Sequence, residues 1–309
     1  MRDLLAGEVQ RLLARRLVRV LGLLSVLAIA LAGVLVFVNT DDISSAELEA
    51  RRSRAFAEFE ECLERGGPAP GPREVPDADG PGRQVPVGER CGIAVGDLED
   101  PRFALADVKG ILQGTTGPLV VVAWLLGASS IGADWQSRTI TTLLTWEPRR
   151  ARVLLAKASA SAIVACGFAL VAGALLVAAL LPSAYLHGTT AGTGGTFGRS
   201  LAGVVLRSTA MIAIASTLGF AVASIGRNTA AALGIGFGYF LVLENVVGGF
   251  LADYRRWLLL GNAIVFVAGE DEGGEVVGRT VLQAGVYLTV VALVLLGAAA
   301  LLFRRRDVA

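Results

Sequence analysis

Residues 132–157 read GADWQSRTITTLLTWEPRRARVLLAK, and they join two runs, 110–133 and 158–185, that contain no charged residue. A hydrocarbon core about 30 Å thick is crossed by roughly 20 apolar residues in a helix. The two runs are therefore read as membrane spans, and the segment between them as a compact polar link. Within it Ile140, Leu143, Leu144 and Trp146 make the apolar side of a short helix, which Pro148 ends.

Outward from this segment, residues 20–38 and 280–303 are also free of charge, 201–226 is interrupted only by Arg207, and 229–251 only by Glu244. Gly226, Arg227 and Asn228 break the last two into a hairpin. With 54% hydrophobic and 18% charged residues and a mean hydropathy of +0.62, the composition excludes an ordinary soluble domain. The predicted class is an all-α polytopic membrane protein with six transmembrane helices, at 18–38, 110–133, 158–185, 201–226, 229–251 and 280–303. A secretory signal peptide is excluded for the first run, because 36–40 (VFVNT) offers no small-x-small cleavage site.

Leu4, Leu5, Val9, Leu12, Leu13 and Leu17 recur at helical spacing, with Arg11, Arg15 and Arg16 elsewhere on the wheel. Residues 1–17 are thus expected to form an interfacial amphipathic helix on anionic membrane lipids. Residues 257–269 are too short to cross a bilayer, and 256–269 reads as a re-entrant or interfacial element before the last span.

Charge sorting gives the orientation. The N-terminal tail, the 134–157 loop and the 304–309 tail are rich in arginine, which predicts that all three are cytosolic, both termini included, in a multi-pass plasma-membrane protein. The 39–109 loop carries 16 acidic and 9 basic residues and seven of the ten prolines, and is expected outside. Its 46–65 part has helix-forming composition, with Leu48, Ala55, Phe56, Phe59 and Leu63 as an apolar stripe, and 68–86 reads as irregular. Cys62 and Cys91 bracket the Pro-rich stretch, which makes them a disulfide pair in an oxidising compartment, whereas Cys166 lies in mid-span as a packing residue.

Glu244 and Asn245 are the one acid-amide pair inside a span, roughly 22 Å along it from Thr229. An intramembrane carboxylate is a translocation-path candidate by default; the alternative is a helix-to-helix hydrogen bond. Arg207, a quarter of the way into its span, reads as snorkelling outward. Residues 273–280, GGEVVGRT, imitate a phosphate-binding loop but have Arg279 at the lysine position and no preceding strand. His187 is the sole histidine, expected to be solvated in a loop. No Cys/His cluster has metal spacing and no catalytic triad can be assembled, so no catalytic residue, no metal and no cofactor bound by this chain is expected, and no nucleic-acid partner.

In Asp134, the pair Arg138-Thr139, Leu143-Leu144, Pro148, Arg149-Arg150 and Lys157, the chain resembles the permease subunits of ABC transporters of the ABC-2 exporter type. Asp134 stands where glutamate is usual in that family and Arg138 where glycine is usual. The six-span layout, the N-terminal interfacial helix, the short element before the last span and the terminal Phe303-Arg304-Arg305-Arg306 are similar too; the 39–109 insert is outside the resemblance. It implies two permeases, the second copy identical or related, above separate ATP-binding subunits that hold ATP and magnesium. On it, 134–157 is the coupling loop that docks on the ATPase through Asp134, Arg138, Thr139, Leu143, Leu144, Pro148, Arg149 and Lys157. A secondary transporter or channel is the rival, opposed by the scarcity of midplane ionisable residues. A non-transporting scaffold is a further one.

Overall fold

The computed structural model describes residues 2–40, 43–64, 73–77, 80–85, 100, 102–146, 149–247, 250, 252–269 and 278–305. Six of its helical stretches are long and apolar enough to cross a membrane: Arg16–Asn39, Leu105–Gln136, Arg150–His187, Phe197–Gly226, Thr229–Val246 and Val281–Arg305. The six-span, all-α membrane architecture expected from the charge-free runs is what the chain forms. By contact density it divides into two compact units, one comprising 1–32, 107–179 and 193–309, the other 33–106 and 180–192.

The first unit is the helical bundle. Its helices are α1 (Arg2–Leu13), α2 (Arg16–Asn39), α4 (Val108–Gln136), α5 (Thr139–Trp146), α6 (Arg150–Pro182), α7 (Phe197–Gly226), α8 (Thr229–Gly238), α9 (Leu259–Ala268) and α10 (Val281–Arg305). α8 continues as a π-helical stretch, Tyr239–Val247, and a 3₁₀ turn, Ala252–Trp257, precedes α9. The centre of the bundle is the α4–α7 pair: the most apolar windows of these two spans are 50% and 56% buried, against 6% for α2. They approach closely because both contact surfaces use glycine. A Cβ on Gly127 would collide with the carbonyl oxygen of Ser216, and one on Gly219 with that of Trp124. Small residues at such crossings bring backbones together where apolar burial gives no drive between helices already in lipid. Thr116 and Ser208 add a 2.8 Å hydroxyl hydrogen bond across the same pair.

The link before α9 is fixed by polar groups. Asn262, fully buried, donates from Nδ2 to the carbonyls of Leu258 at 2.6 Å and Arg256 at 3.0 Å, and its Oδ1 accepts from Arg279 at 3.0 Å. The Arg279 guanidinium also lies over the rings of Trp257 (5.0 Å) and Tyr287 (4.6 Å). α10 starts with a reciprocal cap, in which Gln283 N–H donates to the Thr280 hydroxyl and Thr280 N–H to the Gln283 side chain.

The second unit contains the end of α2, helix α3 (Ser45–Glu64) and the strands β1 (Arg73–Asp77) and β2 (Gly80–Val85). Ser44 caps α3 by accepting from Glu47 N–H at 3.2 Å, an S-x-x-E start. Of the expected stripe, Leu48 and Ala55 are buried, whereas Phe56 is 56% exposed. The expectation of irregular chain across 68–86 is corrected. β1 and β2 pair antiparallel with Arg73 opposite Val85 and Asp77 opposite Gly80, and a bulge falls between Val75 and Asp77. Both strands of a two-stranded ribbon are edges, so Pro76 is tolerated at the bulge, where no ladder donor is required. Beyond it, Ala104 bridges Thr189 in parallel, and His187 stacks 4.7 Å from Phe37, half-buried rather than free in solvent. Arg102 binds Asp100 through its backbone N–H and two side-chain nitrogens, at 2.7 to 3.1 Å, and those side-chain bonds hold the carboxyl below the usual carboxylate range.

Candidate functional site

At one end of the bundle a charged cluster closes inside an apolar surround. Helix α1 turns Leu5, Val9 and Leu12 toward Ala160 and Val164 of α6, and Glu8 lies on that same stripe. The burial of Glu8 is satisfied by Lys157, the eighth residue of α6, whose Nζ donates to Glu8 Oε2 at 2.8 Å and to Asp134 Oδ2 at 2.6 Å. Lys157 is 2% exposed. Arg15, in the break between α1 and α2, reaches Asp134 Oδ1 at 3.0 Å and the carbonyls of Ser129 at 2.6 Å and Ser130 at 3.3 Å near the end of α4. Two carboxylates and two cations thus neutralise one another, and every member has a hydrogen-bonded partner. That is the condition under which buried charge is retained.

The neighbouring helix α5 is tied to the same end. Ile140 is 2% exposed and packs with Ile131 of α4, Leu154 and Ala158 of α6, and Phe303 of α10. Trp135 packs against that cluster, edge-on to Phe303 at 5.9 Å, and the Arg227 guanidinium lies 5.0 Å from its ring centroid. Asn228 accepts from Gln136 Nε2 at 3.0 Å and caps α8 through Ala230 N–H at 2.9 Å. The α7–α8 turn is thereby joined to the end of α4.

The residues expected to dock a partner divide by position. Asp134 and Lys157 are buried in the charge cluster and bound to each other, whereas Arg138 and Arg149 are exposed. Thr139 is half-buried, its hydroxyl paired with that of Ser137. Arg138 has φ 55°, the left-handed conformation that favours glycine, so the residue that replaces the family's usual glycine still adopts glycine's geometry. Leu143 and Leu144 are in the backbone of α5, but their side chains, and Pro148 entirely, are outside the described residues.

Glu244 does not stand alone. Its Oε1 accepts from Leu260 N–H at 2.8 Å while the Tyr239 hydroxyl accepts from Leu259 N–H at 2.9 Å, so the two side chains satisfy the first free donors of α9. Asn245 Nδ2 donates to the Phe240 carbonyl at 2.7 Å, five residues back, within the π-helical stretch. Glu244 thus makes a helix-to-helix hydrogen bond. The Arg207 Nε donates to the Val267 carbonyl at 3.4 Å. Cys91 is outside the described residues, and Cys166 is a free thiol.

Sequence reading missed Glu8 and Arg15. A signal for Glu8 exists, since a carboxylate three residues after Leu5 and four before Leu12 interrupts an apolar stripe and demands a buried cation. Arg15 carries no such mark. Among the described residues, no group of three or more His, Cys, Asp or Glu is placed to hold a metal ion.

A family model described as ABC-2 family transporter protein matches residues 4–308, from α1 through the last helix. The chain belongs to the ABC-2 transporter family. No curated protein and no solved structure matches it. As an ABC-2 family protein with six apolar helices it is a multi-pass membrane protein and a permease component of an ABC transporter, and the family's members are membrane components rather than catalysts. Family membership also implies an ATP-binding partner.

Proposed function

We propose that this ABC-2 permease works as an exporter in the plasma membrane, with both termini in the cytosol. A separate ATP-binding subunit docks on α5 and hydrolyses ATP with magnesium, and a second permease copy, identical or related, completes the passage. Arg138 and Arg149 offer charge to that subunit and Leu143 and Leu144 an apolar contact. The observation that carries this reading is the Lys157 bridge. It joins α1, the end of α4 and the start of α6, while Ile140 packs α5 against α4 and α6. A displacement of α5 therefore reaches α4 and α6 through the apolar packing of Ile140, and the charge cluster ties those two helices to α1. Asp134 and Lys157 serve as the internal anchor of the docking element, and the exposed arginines as its outer face.

The test is co-purification with the ATP-binding subunit that family membership implies. Leu143→Asp with Leu144→Asp is expected to abolish co-purification and permease-dependent ATP turnover while the chain still inserts into the membrane. Unchanged recovery of the partner with that double variant would remove α5 as the docking surface.

A further inference from the structure

The opposite end of the bundle from α5 carries a second polar site, unrelated to docking. A cavity of about 510 Å³ is lined by Lys109 at the start of α4, Thr196, Arg199 and Ser200 at the start of α7, Arg207 further along it, and Gly269 at the end of α9. Among the described residues that line it, three are cationic and none is acidic. Gly269, at φ 96°, lets the chain pass against the Arg207 guanidinium, where a Cβ would sit 2.9 Å from its Nη2.

This mouth adjoins an apolar groove, and Gln113 Nε2 donates to the Ala268 carbonyl at 2.9 Å where the two meet. Ala268 lines both, and the groove, about 400 Å³, runs between α4 and α9 over Met211, past Gln113, Gly117 and Val121. From Lys109 to Val121 the rise along α4 is roughly 18 Å, close to the roughly 15 Å of hydrocarbon in one leaflet. A charged head with an apolar tail of that length matches both parts at once; a soluble anion would use only the first. We propose that Lys109, Arg199 and Arg207 hold the phosphate-bearing headgroup of an anionic phospholipid whose acyl chain lies in the α4–α9 groove.

The structure also supplies a variant that blocks the tail without straining the fold. Nothing lies within 4 Å of a Cβ built on Gly117, which faces the groove, so a leucine there fills space the protein leaves open. The full chain purified in detergent is offered phosphatidylglycerol and phosphatidylcholine in equal amounts, and retained lipid is read by native mass spectrometry. Wild type is expected to retain phosphatidylglycerol preferentially. Arg199→Gln with Arg207→Gln should weaken that retention roughly thirtyfold, at about fivefold per basic residue near a bilayer surface. Gly117→Leu should lower it with no change in unfolding temperature. Equal retention of the two lipids would overturn the proposal, as would none in wild type, which would result if the chain's own acidic run at 270–275 holds the arginines. It fails too if Gly117→Leu has no effect while glycerol phosphate alone competes, since that describes a site for a free anion.

Discussion

Lys157→Met tests whether the buried cluster at the α5 end stabilises the fold. The ammonium is 2% exposed and its two contacts, at 2.6 and 2.8 Å, are each worth about 6 kcal/mol at an effective dielectric near 20, before desolvation is subtracted. The substitution leaves Glu8 and Asp134, with side chains 7% exposed, sharing only Arg15 and the more distant Arg11, which lies 3.7 Å from Glu8. Removing one member of a buried charge set costs about 3–5 kcal/mol, chiefly through the charge left unpaired. Glu8→Gln removes one of the stranded carboxylates. The pair Lys157→Met with Glu8→Gln keeps Arg15 matched to Asp134, so its cost should fall short of the sum of the single costs by about 1–3 kcal/mol. The assay is unfolding of the purified permease in detergent for wild type, both single variants and the double. Additivity to within about 0.5 kcal/mol would refute the direct bridge.

Arg138→Ala should be less stable than Arg138→Gly by about 1 kcal/mol in the same assay, because both lose the side chain and only alanine keeps the strain of φ 55°. Glu244→Ala should cost about 1 kcal/mol by uncapping α9, with Glu244→Gln nearly neutral and transport unchanged; a large transport defect in Glu244→Gln at full stability would assign it a translocation role. The Asp100 carboxyl is held low by Arg102, so its contribution is complete above the usual carboxylate pKa of about 4 and is lost as pH falls through its lower folded value. Hydrogen exchange around Arg102, corrected for intrinsic rates, should accelerate only in acid below that point. Non-reducing peptide mapping should find Cys62 linked to Cys91, and alkylation of both thiols without reduction would exclude the bond.

The spans were legible because the bilayer sets a length and forbids charge within it, so 110–133 and 158–185 announce themselves. The helices extend beyond those charge-free runs. α6 begins at Arg150, since Arg152 and Lys157 are good helix formers, and charge alone does not stop a helix. Lys157 therefore sits two turns inside a helix and pairs with Glu8, 149 positions away, a contact no local pattern encodes. Arg138 shows the converse, a left-handed conformation at a position where the resemblance has glycine and this chain does not. The hairpin β1–β2 was hidden by Pro76 and Pro81, which argue against a strand in the interior of a sheet but not in a ribbon made only of edges. Glu244 was visible as an anomaly, but its partner, the start of α9, is defined only by the tertiary fold.

The account depends most on which side of the membrane α5 faces. Ser137, exposed in the turn before α5, is replaced by cysteine in a Cys166→Ala background, and sealed cells are treated with a membrane-impermeant maleimide. The expected result is no labelling until the cells are opened, and full labelling afterwards. Labelling of Ser137→Cys from outside intact cells would put α5 beyond the reach of any ATP-binding subunit and contradict the proposed coupling.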